Sequence, residues 1–103
     1  MEISKSDVVL STAGRDRGLL FFVMETDGVY ASLANGKERK LEQPKQKKLI
    51  HVRKVLRSDS DLARRIRSGE RILNSELRRE LAAYSRQINV STKEGNKTWQ
   101  KTT

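Results

Sequence analysis

The residues of this chain best suited to chemistry are cations placed at turns. Gly14-Arg15-Asp16-Arg17-Gly18 sets two arginines on a bend whose glycines accept positive φ at no steric cost. Guanidinium groups projecting from such a bend, beside exposed backbone N–H groups, suit phosphate. Gly18 is also expected to let another backbone approach closely. The plain structural alternative is a solvated loop with one arginine paired to Asp16. A second group of cations comprises Lys37, Arg39, Lys40, Lys45, Lys47 and Lys48. Nine Lys or Arg residues fall between Lys37 and Arg57, against Glu38 and Glu42 alone. A few lysines on an edge strand discourage edge-to-edge pairing, but this number exceeds that need.

Other reactive constellations are missing from the sequence. His51 is the single histidine and there is no cysteine, so disulfides, thiolate metal sites and a paired-histidine metal site are not expected. A hydrogen-bonded strand residue is the simpler reading of His51. Gly14-x-x-x-Gly18 is followed by Leu19-Leu20, not by Lys and Ser or Thr, so it is no P-loop. No nucleophile elbow occurs. The expectation is a protein that is not an enzyme, with no catalytic residue, cofactor, metal or small-molecule substrate. The formal charge of +9 over 103 residues instead favours a polyanion. Residues 1–36 are slightly acidic, and the excess lies beyond them. No lipidation signal or basic amphipathic helix accompanies it, so nucleic acid is preferred over a membrane. The longest apolar run, Leu19 to Met24, is far too short for a membrane span. The start is polar and carries no signal-type stretch. A cytoplasmic protein is expected.

Short strands are what must hold these cations. Val8 to Leu10 opens one. Leu19 to Thr26 is nearly continuous and apolar, as for a central strand buried on both faces. Asp27-Gly28 then signals a type I′ hairpin. Val29 to Leu33 alternates, and Asn35-Gly36 signals a second hairpin of that type. Lys37 to Glu42 is expected as the charged partner strand, ended by Pro44. Lys48 to Val52 is expected as the closing strand. Five short strands joined by tight turns fit an SH3-like barrel. With few aromatics available, Phe22 and Tyr30 are assigned to its core, although rings of this kind can stack on bases.

After Leu56 the pattern becomes helical. Ser58-Asp59-Ser60-Asp61 matches a helix-start signature, and Leu62 and Ile66 share a face. Ser68-Gly69 is a stop. Asn74 is a good N-cap, and Leu73, Leu77 and Leu81 recur every fourth residue. Two helices are expected, roughly Asp61–Ser68 and Ser75–Tyr84. They are too short to stand alone. Asn89 to Thr103 is polar and aperiodic, with an isolated Trp99.

The strand-turn-strand unit Asp7 to Met24 resembles the KOW motif of ribosomal proteins and some transcription elongation factors. Ala34 to Val52 extends the resemblance. It is similar to the sequel of that motif in archaeal and eukaryotic large-subunit ribosomal proteins, and closer still to small stand-alone bacterial proteins of the type. The sequel runs through a hairpin glycine, a basic-hydrophobic strand, a Pro-Lys turn and a Lys-Lys-Leu-x-His strand. Asn74 to Leu81 matches only loosely. The resemblance implies a mainly β protein: an SH3-like KOW five-stranded barrel over 1–56, two short C-terminal α-helices over 57–86, and a flexible basic tail over 87–103. It implies RNA binding, to structured ribosomal RNA or in association with the ribosome, through backbone and shape contacts. Gly18 would be the turn glycine, and Arg15 and Arg17 the RNA-facing side chains. Lys37, Arg39, Lys40, Lys45, Lys47 and Lys48 would add phosphate contacts. The alternative is a protein-interaction module of the transcription or translation machinery, docking through the barrel or through Leu73, Leu77 and Leu81.

Overall fold

Leu20-Phe21-Phe22-Val23-Met24-Glu25-Thr26 forms the central strand β2, and Phe21, Phe22 and Val23 are completely buried. Consecutive side chains of a strand point to opposite faces, so both faces of β2 carry core. Around it lie β1 (Asp7–Ser11), β3 (Tyr30–Ala34), β4 (Lys45–Lys48) and β5 (Val52–Arg57), with helices α1 (Asp61–Ser68) and α2 (Asn74–Trp99) following. The sheet order is β4-β3-β2-β1-β5, and every pairing is antiparallel. This computed structural model describes residues 2–99, with side chains as far as residue 88.

The two faces are closed differently. Val8, Phe22 and Ala34 on one face meet Leu62, Ala63 and Ile66 of α1 and Leu77 and Leu81 of α2. Val9, Phe21, Val23, Ala31 and Leu33 on the other face are covered by Ile3, Leu19, Leu49 and Val52. Each buried Phe contributes about 2–3 kcal/mol relative to an exposed one. β4 and β5 lie at opposite edges of the sheet, yet only the 3-10 turn Leu49–His51 joins them. So short a link keeps the end of β4 close to the start of β5.

That link replaces the expected strand from Lys48 to Val52. A chain that leaves one edge and enters the other must turn there, and Ile50 is left 79 % exposed. The strand expected over Lys37 to Glu42 is also absent, and Pro44 precedes β4 instead of ending a strand. The side chain of Asn35 is responsible. Its Oδ1 accepts from the amides of Lys37 (3.1 Å) and Arg39 (3.0 Å), which wraps the segment into a loop. Leu41 N–H is then taken by Asn74 Oδ1 at 2.8 Å. Gly28 and Gly36 have positive φ but Asp27 and Asn35 do not, so neither turn is type I′. Asp27 Oδ1 instead accepts from the amides of Val29 and Tyr30 at 2.9 and 2.8 Å.

Ser60 caps α1 by accepting from Ala63 N–H at 3.0 Å, and Gly69 ends it in the left-handed conformation. Asn74 does not cap α2, because its side chain serves Leu41 and Glu42. Glu76 reaches back to Leu73 N–H at 2.9 Å in its place, half of a capping box. α2 runs on past Tyr84 to Trp99, where an unstructured tail was expected. Once packing of its first turns has formed the nucleus, each further residue adds a hydrogen bond at little cost. The rest of that expected tail, 100–103, lies outside the described residues. Leu77 and Leu81 point into the core while Leu73 is half exposed, so the leucine repeat is not a free docking face. Glu80 ties the helices together, its Oε2 accepting from Ser58 (3.0 Å), Ser60 (2.7 Å) and Tyr84. Among the described residues, no helix is long and apolar enough to cross a membrane.

Candidate nucleic-acid interface

The β1–β2 turn is built around a buried ion pair. Ser11 N–H donates to Leu19 O at 3.0 Å, and Gly18 N–H donates to Ser11 O at 2.9 Å, which closes the neck of the turn. Gly14 and Gly18 both have positive φ. Asp16 points back under the bend. Its Oδ1 accepts from Ser11 Oγ at 2.7 Å and from Lys47 Nζ at 2.8 Å. Lys47 Nζ also donates to Ala13 O at 2.7 Å. The side chains of Lys47 and Asp16 are only 8 % and 13 % exposed. Burial pushes the Asp16 carboxyl up. The hydrogen bonds from Lys47 and Ser11, with the charges of Lys47 and Lys45, outweigh it and hold the group below the usual carboxylate range.

Lys47 is therefore not a free cation, contrary to its expected role. In β4, Lys45 and Lys47 share one face while Gln46 and Lys48 share the other. The Lys45–Lys47 face meets the turn, where Lys47 reaches Asp16 and Ala13 O. With Asp16 neutralised from beneath, Arg15 and Arg17 remain exposed and unpaired among the described residues. The Arg17 Nε–H rests on Thr12 O at 3.3 Å. The amides of Gly14, Arg15 and Asp16 have no acceptor among the described residues.

Gly18 faces a groove of about 410 Å³ that it shares with Lys37, Glu38 and Arg78. On its other side, a groove of about 370 Å³ joins it to Arg53, Lys54 and Ile88. No atom lies within 4 Å of a Cβ built at Gly18, so no backbone packs there; the glycine is needed for its φ alone. Close approach belongs to Gly36. A Cβ there would lie 2.2 Å from Asn74 O, and Arg78 Nη1 donates to Gly36 O at 2.6 Å. Glu38 is the one carboxylate in the first groove, and it accepts from Asn35 Nδ2 at 2.9 Å.

The structure thus gathers Arg15, Arg17, Gly18, Lys37 and Lys45 around the turn. It adds Arg53 and Arg78, which sequence reasoning missed. Arg78 was detectable from its place beside the leucine stripe. Arg53 was hidden because β5 was expected to end near Val52. Lys54 is engaged with buried Asp7 at 3.2 Å. Arg39 and Lys40 ride the loop pinned by Asn74 and line neither groove. Lys48 points to the opposite face of β4, its Nζ 6.0 Å from the centroid of the Tyr30 ring. Tyr30 itself is 42 % exposed and is not core, whereas Phe22 is. His51 is exposed, and its carbonyl accepts from Thr12 N–H at 2.9 Å. Trp99 ends α2 and its side chain is not described.

No group of three or more His, Cys, Asp and Glu among the described residues could hold a metal ion. Compared with known proteins, the chain matches no family model and no curated protein.

Proposed function

We propose that the protein binds RNA through an SH3-like barrel of the KOW type. The ligand is structured RNA, ribosomal or ribosome-associated, held through its sugar-phosphate backbone. The observation that carries this reading is the turn itself. Its carboxylate is neutralised from below by Lys47, while Arg15 and Arg17 are left outward among Lys37, Lys45, Arg53 and Arg78. A surface built only for solubility would not place a buried ion pair beneath two unpaired guanidinium groups. Backbone contacts of this kind read shape and charge more than base identity. The three-residue link between opposite sheet edges supports the barrel geometry. The Gly-Arg-Asp-Arg-Gly turn and the later Lys-Lys-Leu-x-His segment support the KOW assignment and, with it, RNA over other polyanions. Docking through the leucine repeat loses its support, since Leu77 and Leu81 are buried.

Binding of a structured ribosomal RNA fragment across a salt series tests the reading. The wild type should lose affinity steeply as salt rises. Arg15→Ala with Arg17→Ala should weaken binding and flatten the log–log slope by about 1–2, at roughly 0.7–0.9 per phosphate contact. Thermal stability should barely change, because neither side chain is buried. Equal affinity and slope for the double variant would remove the turn from the interface.

A further inference from the structure

Tyr30 stands apart from the turn and is not explained by it. Aromatic side chains are few in this chain, and this one is spent on the surface. Tyr30 is 42 % exposed, and Val29 and Ile50 are exposed at 60 % and 79 %. Leu49 N–H donates to Val29 O at 2.8 Å, which holds the 3-10 turn carrying Ile50 beside the β2–β3 loop. Tyr30 and Lys48 are direct cross-strand partners, and the Lys48 ammonium lies 6.0 Å from the ring centroid. Lys48 is exposed and has no carboxylate partner among the described residues.

Two carboxylates, Glu25 and Asp27, line the groove on one side of Tyr30, so a phosphate must approach from the Lys48 side. Glu25 is paired with Lys5 at 3.0 Å. Asp27 accepts from the amides of Tyr30 and Val29, which hold its carboxyl below the usual carboxylate range and keep it ionised. Those same hydrogen bonds fix the start of β3, so the ring has a defined base.

We propose that Tyr30 is a stacking platform for an unpaired RNA base, with Lys48 taking the adjoining phosphate. The inference rests on the RNA-binding reading above and names a second contact for the same ligand. An exposed ring beside an exposed ammonium is the minimal pair for a single strand: the ring takes any base by its π face and the cation tracks the backbone. β4 connects the two contacts. Its Lys45 side faces the β1–β2 turn and its Lys48 side faces Tyr30, only about 10 Å apart along the strand at ~3.4 Å per residue. A strand leaving a helix held by the arginines would cross this lysine-bearing edge and reach the ring. The preferred ligand is then a helix flanked by unpaired nucleotides.

The test uses two labelled RNAs that share one hairpin, the first blunt and the second with a short single-stranded extension. Each is titrated with the wild type, Tyr30→Ala, Tyr30→Phe, and Arg15→Ala with Arg17→Ala. The wild type should favour the extended RNA. Tyr30→Ala should lose roughly five- to a hundredfold on the extended RNA, the value of one stacked base, and nothing on the blunt one. Tyr30→Phe should keep the preference, and the arginine pair should weaken both RNAs alike. An unchanged preference in Tyr30→Ala, or an equal loss on both RNAs, overturns the platform and leaves the turn standing. Wild type that binds neither RNA overturns both. Loss of concentration-dependent self-association in Tyr30→Ala, with RNA binding intact, would assign the patch to a protein contact and also overturn the proposal.

Discussion

Replacing Lys47 with Met removes an ammonium while keeping most of the buried stem. The substitution leaves the single Ser11 hydroxyl proton as the remaining side-chain donor for both Asp16 Oδ1 (2.7 Å) and Ala13 O (3.1 Å), and it can satisfy only one of them. Losing a hydrogen bond to a charged group costs about 1.5–3 kcal/mol, and losing one to a carbonyl costs about 1 kcal/mol. The sum falls at the lower end of the ~3–5 kcal/mol typical of breaking a buried pair. We therefore expect a loss of about 3 kcal/mol. At roughly 4–8 °C per kcal/mol for a domain of this size, Tm should fall by about 12–24 °C. Urea unfolding followed by far-UV circular dichroism gives the free energy directly. The paired variant Asp16→Asn/Lys47→Met should recover part of the loss, because no unpaired carboxylate is left behind. RNA affinity should fall for Lys47→Met through disorder of the turn, and should return in part with the paired variant. A Lys47→Met protein as stable as wild type but weaker for RNA would refute this reasoning. It would make Lys47 a surface cation rather than the anchor of the turn.

Two glycines should separate by mechanism. Gly36→Ala forces a Cβ against the α2 backbone and should cost several kcal/mol, seen as a large fall in Tm. Gly18→Ala meets open space and should cost only about 1 kcal/mol, from positive φ alone. Similar losses at both would contradict the contact between Gly36 and Asn74. Stability should also fall in acid. The folded-state pKa of Asp16 lies below its unfolded value, so its contribution is complete above about pH 4 and disappears as pH drops through the folded pKa. Asp16→Asn should flatten that part of the pH–stability curve, and an unchanged acid limb would count against the pairing.

Much of the fold was readable because it rests on local signals. The apolar run Leu19 to Met24 announces a strand buried on two sides, and β2 is that strand. Ser60, the Leu62–Ile66 spacing and Gly69 delimit α1 within eight residues. Some misreadings come from local side-chain hydrogen bonds, as at Asn35 and Asp27, and others from distant partners. Asn35-Gly36 has the composition of a hairpin, but the loop it opens is held by Asn74, 33 residues beyond Leu41. Lys47 reads as one more charge in a basic run, because the carboxylate that buries it lies 31 residues earlier. Tyr30 was assigned inward by the scarcity of aromatic residues, but its place on β3 across from Lys48 leaves it 42 % exposed. The cations at the turn were legible as types. Their grouping was not, since it depends on contacts between residues far apart in sequence.

We propose that RNA meets the turn over 13–18, the loop over 35–38 and β5 around Arg53. Titrating a structured ribosomal RNA into isotopically labelled protein, and following amide and arginine side-chain NMR signals, tests that most directly. The largest shifts should fall on Gly14, Arg15, Arg17, Gly18, Lys37, Arg53 and Arg78, weaken together as salt is raised, and leave α1 unmoved. Shifts concentrated on α1, or no shift at the turn under saturating RNA, would contradict it.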